Sequence, residues 1–321
     1  MKKCLVTGVA GFIGCEVALL LSKAGYSIVG IDNLNHYYDV SLKHARLKRL
    51  NGLVDFREMD LVDKNSLNDL FKTEKFDAVV HLAAQAGVRY SLENPQAYVD
   101  SNVTGFLSIL ECCRENPVKH LVYASSSSVY GRNKKTPFST EDPVCMPSSL
   151  YAATKRSNEL MAETYSHLFK VNSTGLRFFT VYGPWGRPDM APWLFASSIL
   201  DGKPIKVFNN GNMLRDFTYI ADIAEGVVRV LENGLERAPI HKLYNIGHGS
   251  PVNLMDFIAI LENSLGIEAK KDFLPMQPGD VEVTYADTSA LEKEVGYLAN
   301  TDLETGVKAF AEWFKDYKNS I

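Results

Sequence analysis

Tyr151 and Lys155, in the run Ser149-Leu150-Tyr151-Ala152-Ala153-Thr154-Lys155-Arg156, stand four positions apart. On a helix this spacing puts a phenol and an ammonium on one face, a turn from each other. A fixed cation beside a phenol favours the phenolate and lowers a pKa that is otherwise about 10. Such a tyrosine can accept a proton at neutral pH. Tyr-x-x-x-Lys pairs also occur on ordinary helix faces with a solvated lysine, so the pair gains meaning only from its company. Here the company is a serine cluster, Ser125 to Ser128, at the end of the preceding strand, and a glycine-rich turn near the N-terminus.

That turn, Gly8-Val9-Ala10-Gly11-Phe12-Ile13-Gly14, follows a short apolar strand and opens a helix. Glycines let the backbone turn tightly and approach a pyrophosphate, while free N–H groups at the helix N-terminus face the anion. The spacing alone is a weak motif, because tight turns share its composition. Asp32 strengthens it: it ends the second strand and can accept hydrogen bonds from both hydroxyls of a ribose. A carboxylate there repels a 2′-phosphate, which favours NAD over NADP. Asp60, after the third strand, reads either as an adenine contact or as an ordinary turn aspartate.

The elements that must position these groups alternate. Strands are expected at Lys3–Thr7, Ser27–Ile31, near Val54–Arg57, Asp77–His81, Lys119–Tyr123 and Ser173–Phe178. Helices are expected from about Phe12 to Ala24, after Asn65, from about Pro95 to Glu115, and around Tyr151. Short apolar strands alternating with helices give a parallel sheet of Rossmann type, covered by helices on both faces. After Phe179 the rhythm breaks at Tyr182-Gly183-Pro184-Trp185-Gly186-Arg187-Pro188. The expected division is a dinucleotide-binding domain over 1–178 and a smaller α/β substrate-binding lobe over 179–321, some of whose segments return to the sheet edge.

The hydrophobic fraction of 46% and the net charge of −4 are those of an ordinary globular chain and argue against nucleic-acid or anionic-membrane partners. Five cysteines form no Cys-x-x-Cys pair and no zinc spacing, so free thiols and no metal are expected. Cys15, beside a helix N-terminus, is either a thiol of lowered pKa or a small residue packed behind the loop. With no signal peptide or membrane-length apolar run read in the sequence, a cytoplasmic location is expected.

Over nearly its whole length the chain resembles the extended short-chain dehydrogenase/reductase family, and within it the nucleotide-sugar epimerases. The resemblance rests on Gly8/Gly11/Gly14, His81-Leu82-Ala83-Ala84, Ser125-Ser126-Ser127-Ser128-Val129-Tyr130-Gly131, Tyr151/Lys155 and Arg215-Asp216-Phe217-Thr218-Tyr219. Four further segments are similar to the UDP-glucuronate 4-epimerase branch: Ile31-Asp32-Asn33-Leu34-Asn35, Gln85-Ala86-Gly87-Val88-Arg89, Arg177 to Pro188, and Met276-Gln277-Pro278-Gly279-Asp280.

This resemblance implies that Tyr151 takes the proton of the sugar C4 hydroxyl while hydride leaves C4 for NAD. Lys155 would bind the nicotinamide ribose, and Ser126 would hydrogen-bond the C4 oxygen. A transient 4-keto sugar then turns over and is reduced on its other face. Cofactor contacts are implied for Phe12, Ile13, Asn33, Asp60, Leu61, Leu82, Ala83, Ala84 and Asn102 beside the glycines and Asp32. Ser127, Ser128 and Thr180 would surround the C5 carboxylate of a UDP-uronic acid, where oxidation at C4 makes a β-keto acid prone to lose carbon dioxide. Sibling decarboxylases and dehydratases carry an acid where this chain has Ser128. Arg187 and Arg215 would meet the diphosphate, backbone near Val207 and Phe208 the uracil, and Asp280 the uridine ribose. Arg89 can reach either the carboxylate or a structural carbonyl.

His81 reads as a structural histidine, and His36-Tyr37-Tyr38 as either the adenine wall or loop packing. The helices near 95–115 and 151–169 are those that pair in the family's homodimer, with Val103, Phe106, Leu107 and Leu110 offering an apolar face, some of which must face the sheet instead. The expected activity is conversion of UDP-glucuronate to UDP-galacturonate. The alternatives are a UDP-glucose or UDP-N-acetylhexosamine 4-epimerase, a UDP-glucuronate decarboxylase, and a dinucleotide-sensing regulator on the same fold.

Overall fold

In this computed structural model, residues 1–238, 240–277 and 280–319 are described. Pro278 and Gly279 of the Met276–Asp280 segment lie outside them. The first half runs β1 (Lys3–Thr7), α1 (Phe12–Lys23), β2 (Ser27–Asp32), α2 (Val40–Arg49), β3 (Asp55–Glu58), α3 (Lys64–Glu74) and β4 (Ala78–His81). It continues through α4 (Tyr90–Glu93), α5 (Pro95–Tyr98), a π-helical segment (Val99–Thr104), α6 (Gly105–Glu115), β5 (His120–Ser126), a 3-10 turn (Ser127–Tyr130), α7 (Leu150–Phe169) and β6 (Ser173–Phe178). The remainder comprises β7 (Thr180–Tyr182), α8 (Ala191–Leu200), β8 (Ile205–Phe208), β9 (Leu214–Arg215), β10 (Phe217–Tyr219) and α9 (Ile220–Arg237). β11 (His241–Ile246), β12 (Val252–Asn253), α10 (Leu254–Leu265), β13 (Lys271–Leu274), α11 (Ser289–Val295) and α12 (Leu303–Asn319) complete it.

Seven parallel strands form the main sheet in the order β3-β2-β1-β4-β5-β6-β11. β4 and β6 are buried at every position, which is why they read as continuous apolar or small-residue runs without alternation. On one face α1 and α9 share a core in which Val17, Ala18 and Leu21 join Ile223, Val227 and Val230. On the other face Phe106, Ile109 and Leu110 of α6 meet Leu121 and Tyr123 of β5 and Ala162 of α7. Phe106 and Leu110 are therefore core residues rather than part of an outward face. Three two-stranded pieces, β7–β10, β8–β13 and β9–β12, surround a third core around Phe217, Phe257, Phe310 and Phe314. Among the described residues no helix is long and apolar enough to cross a membrane.

The strand order reverses between β1 and β4, so their C-terminal ends open a crevice where ligands of such sheets bind. The helix expected over Pro95–Glu115 is interrupted by the π segment. Its wider turn lets Asn102 face Gln85 while Phe106 stays in the core: Asn102 accepts from Gln85 N at 2.8 Å and donates to Gln85 O at 3.0 Å.

α7 begins at Ser149, whose hydroxyl caps Ala152 N at 3.1 Å. It is fixed to the sheet by a buried ion pair. Arg177 of β6 donates to Glu159 through Nε (2.8 Å) and Nη2 (3.0 Å), and both residues are 1% exposed. Ser125 of β5 adds a hydrogen bond of 2.6 Å and Arg156 one of 2.9 Å. Removing one partner strands a buried charge, which costs about 3–5 kcal/mol. Arg177→Ala is accordingly expected to lower the unfolding free energy by about that amount in urea denaturation; a loss below about 1 kcal/mol, the exposed-pair value, would contradict this account.

Candidate active site

The glycine turn is a backbone crossing with no room for side chains. A Cβ on Gly14 would lie 2.1 Å from Gly8 O, and one on Gly8 (φ +70°) would lie 2.7 Å from Ala83 N. Thr7 Oγ1 receives the N–H groups of Leu82 (3.2 Å) and Ala83 (3.1 Å), locking the end of β4 against the turn. The first turn of α1 has no side-chain cap and no acidic residue, so its N–H groups face the crevice uncovered. This cradle fits a pyrophosphate.

Asp32 accepts from Ala10 N (3.2 Å) and Leu34 N (2.9 Å) and faces Lys43 Nζ at 3.6 Å. Burial lowers the Lys43 pKa against the pull of Asp32. Asn33 Nδ2 donates to Asp60 at 2.8 Å. Asp32, Asn33, Asp60 and Leu61 line one end of a single cleft of about 1010 Å³. Gly8, Gly11, Phe12, Ile13, Gly14, Leu82, Ala83 and Ala84 line its floor.

Tyr151, Lys155, Ser126, Ser127, Ser128 and Thr180 converge further along the same cleft. Ser126 Oγ accepts from Ser128 N at 3.1 Å, so it caps the 3-10 turn, and it lies close enough to the Tyr151 phenol to favour the phenolate. Turn capping and contact with the phenol thus belong to the same hydroxyl. Ser125 instead points into the core, to Glu159.

The electrostatics differ from those expected of the pair. Burial raises the Tyr151 pKa, opposed by the hydrogen bond from Ser126 and the charge of Arg187. Lys155 donates to Ala124 O at 3.0 Å rather than serving the phenol, and burial brings its pKa down to about 8. Four residues of helix place both groups on one face, but the short β5 carbonyl is the nearer acceptor for the ammonium.

Arg187, Arg215, Arg89 and Asp280 also line the cleft. Arg187 forms a two-point pair with Asp189 and lies near enough to Tyr151 for their charges to interact. Arg215 donates to Glu282 O at 3.0 Å. Arg89 faces Asp280 at 3.4 Å and stacks on the Phe208 ring at 5.1 Å, bridging the cleft mouth. The Val207 side chain is buried in the third core and Phe208 lines the cleft, because alternate residues of β8 face opposite ways; the contact expected of this segment is through its backbone, which that burial leaves in place. Asn102 is 1% exposed and acts through Gln85 rather than lining the cleft.

His81 is a structural histidine: it is 3% exposed, bonded to Thr7 at 2.8 Å, and burial brings its pKa down to about 3. Cys15 packs behind the turn, its pKa pushed by burial up to about 11. Of the aromatic run, Tyr37 and Tyr38 both line the cleft, and Tyr38 also accepts from Arg46 at 2.7 Å. Sequence reasoning missed Arg46, which is fully buried and donates to Ala10 O (3.1 Å), Trp185 O (2.6 Å) and Gly186 O (3.0 Å). It also missed Lys43, Glu159 and Asp189. Asp189, two residues beyond Arg187, left a local signal, since a carboxylate that close can pair with the guanidinium.

A parallel sheet with a glycine cradle at its switch point and a Tyr-x-x-x-Lys helix across the crevice defines a short-chain dehydrogenase/reductase type of protein. The model of the NAD dependent epimerase/dehydratase family matches residues 4–247, and the chain belongs to that family. It is 49% identical to Protein CapI of Staphylococcus aureus, over 98% of this chain and 99% of that protein. It is 48% identical to UDP-glucuronate 4-epimerase 4 of Arabidopsis thaliana, over 98% of this chain and 75% of that protein. Among solved structures it resembles UDP-glucuronic acid 4-epimerase from Bacillus cereus in complex with UDP-glucuronic acid and NAD. That likeness has a TM-score of 0.92 and 35% identity, and covers 98% of this chain and 100% of that one.

The buried Lys155 makes stability depend on pH in a specific direction. Its pKa is about 8 folded against 10.5 in the ordinary state, so between those values the unfolded chain binds the extra proton and stability rises with pH. Below about 8 the ammonium carries its full burial cost. Lys155→Met should stabilise the ligand-free protein at pH 7, by up to roughly 3 kcal/mol, and by much less at pH 10. Urea denaturation at both values checks this; a gap that widens with pH would contradict it.

Proposed function

We propose that the protein is an NAD-dependent 4-epimerase that interconverts UDP-glucuronate and UDP-galacturonate with the carboxylate retained. The observation that carries this reading is one cleft in which the Tyr151 phenol meets Ser126, with the hydroxyls of Ser127, Ser128 and Thr180 on the adjoining wall. The relationship to UDP-glucuronate 4-epimerases supports the choice of sugar.

Gly8, Gly11, Phe12, Ile13 and Gly14 would hold the pyrophosphate of NAD, and Asp32 the adenosine ribose, with Asn33, Asp60 and Leu61 at the adenine. Leu82, Ala83, Ala84 and Lys155 would border the nicotinamide side, with Asn102 fixing the loop beneath. Bound NAD supplies a reversible hydride acceptor and a positive charge beside Tyr151. Tyr151 removes and returns the proton of the C4 hydroxyl, and Ser126 holds the same oxygen. Because burial alone keeps the phenol protonated, the base form depends on nearby cations, Arg187 among them.

Ser127, Ser128 and Thr180 hold the carboxylate as neutral donors. They keep the carbon–carbon bond to the carboxylate out of line with the C4 ketone and offer no acid to the side reaction. Arg187, Arg215 and Arg89 supply positive charge for the diphosphate or carboxylate, the Phe208 backbone faces the uracil, and Asp280 the uridine ribose.

Incubation with UDP-glucuronate, followed by NMR, should show UDP-galacturonate at equilibrium, with UDP-glucose almost unchanged. Pentose product and carbon dioxide would point to the decarboxylase reading. Tyr151→Phe should keep NAD bound and lose at least about 10²-fold in turnover; full activity would refute the role of the phenol.

The same reading includes a cytoplasmic homodimer. α7 leaves Leu160 (53%) exposed and, at its C-terminal end, Leu168 (59%) and Phe169 (43%), apolar area that a second copy could cover. Light scattering should give twice the mass of one 35.7 kDa chain, and Leu160→Asp should shift the population toward monomer. A wild-type protein that is monomeric at micromolar concentration would remove this part of the proposal.

A further inference from the structure

Three loops meet in the cleft wall. Arg187, after β7, donates to Asp189 through Nε at 3.0 Å and through Nη2 at 2.6 Å. The Tyr37 hydroxyl, after β2, donates to the same carboxylate at 3.1 Å. Gly87, after β4, closes the group: its φ is +99°, and a Cβ there would lie 2.5 Å from the Tyr37 oxygen and 3.6 Å from Asp189 Oδ2. The Tyr37 ring packs on Tyr90 with centroids 4.8 Å apart. The Tyr37–Asp189 contact is thus fixed by packing on two sides. Among the described residues Arg187 Nη1 has no hydrogen-bond partner, although the other edge of the guanidinium is fully engaged.

A guanidinium held by two adjacent donors cannot rotate its plane, and its remaining edge is presented in one direction. We propose that Asp189, supported by Tyr37, is a positioning residue that aims Arg187 Nη1 at an oxyanion of the bound nucleotide sugar. The oxyanion is the diphosphate or the uronate carboxylate. This inference rests on the cleft being a UDP-uronate site. The opposite role, in which Asp189 occupies Arg187 until a ligand displaces it, would need a loosely held carboxylate, and the Gly87 packing argues against that.

The test is calorimetric binding of UDP, UDP-glucose and UDP-glucuronate to the NAD-loaded protein, every variant and its reference carrying Tyr151→Phe so that UDP-glucuronate binds without being converted. Arg187→Ala should weaken binding about 10-fold or more. Asp189→Asn should approach that loss. Tyr37→Phe, which keeps the Asp189 charge, should weaken binding about 3-fold. In the Arg187→Ala background neither substitution should have any further effect, a non-additivity that a general loss of stability would not produce. Weaker binding of all three ligands assigns Arg187 to the diphosphate; weaker binding of UDP-glucuronate alone assigns it to the carboxylate.

Tighter binding by Asp189→Asn, or single-variant losses that persist undiminished without Arg187, would overturn the proposal. If Asp189→Asn does not fold, Tyr37→Phe carries the test alone. Reference protein that binds UDP-glucuronate normally but shows no coupling rejects only the positioning role. Reference protein that binds none of the ligands rejects the nucleotide-sugar reading, and this inference with it.

Discussion

The Glu159 carboxylate, removed from water, accepts four hydrogen bonds from three residues, and the geometry of the reactive groups is set through it. It sits one helical turn beyond Lys155 and two beyond Tyr151 on α7. Ser125, which it fixes, precedes Ser126, and Arg177 comes from the next strand. Arg177 also donates to the Tyr130 hydroxyl at 3.0 Å, which donates to Asn245 of β11 at 2.6 Å. Helix, serine turn and three strands are therefore tied by one polar chain under the cleft. Apolar contacts could hold the same elements together, but they would not specify the height of α7 over the sheet to a fraction of an ångström.

Much of this was legible beforehand, and for definable reasons. The central strands β1, β2, β4, β5 and β6 are largely buried on both faces, so their apolar runs were plain between turn residues. The glycine turn was readable because its three glycines each answer a backbone contact, and Tyr151 and Lys155 because helical spacing alone fixes their common face. The cleft lining followed, since most of its residues sit at strand ends whose order the alternation dictates. What stayed hidden depends on contacts between distant segments. Glu159 and Arg177 are 18 residues apart and look like ordinary surface charges until β6 is laid beside β5. Arg46 meets Trp185 O across 139 residues of sequence. The π segment left no periodic trace because its extra residue per turn serves a single side chain, Asn102.

The Tyr151–Lys155 pair illustrates how a correct spacing can carry an incomplete electrostatic account. Proximity along a helix does not decide which acceptor an ammonium chooses, and Ala124 O is fixed in place by β5. Burial acts on the two groups in opposite directions, raising the phenol and lowering the ammonium, so both favour their neutral forms. In the ligand-free cleft at neutral pH the phenol is neutral, while Lys155 keeps its charge at a burial cost, with Ala124 O as its acceptor. In the proposed reaction, positive charge on bound NAD would shift that balance at the phenol.

Arg46 gives the cleft a mechanical property. One guanidinium grips carbonyls on both the glycine turn and the loop that carries Trp185 and Gly186, while a second cation, Arg49, lies over the Trp185 ring at 5.0 Å. The two loops cannot drift apart without breaking bonds that water, excluded from this spot, cannot replace. That part of the crevice is welded, whereas Arg89 and Asp280, also in the cleft lining, are partly solvated and held to each other by one long contact.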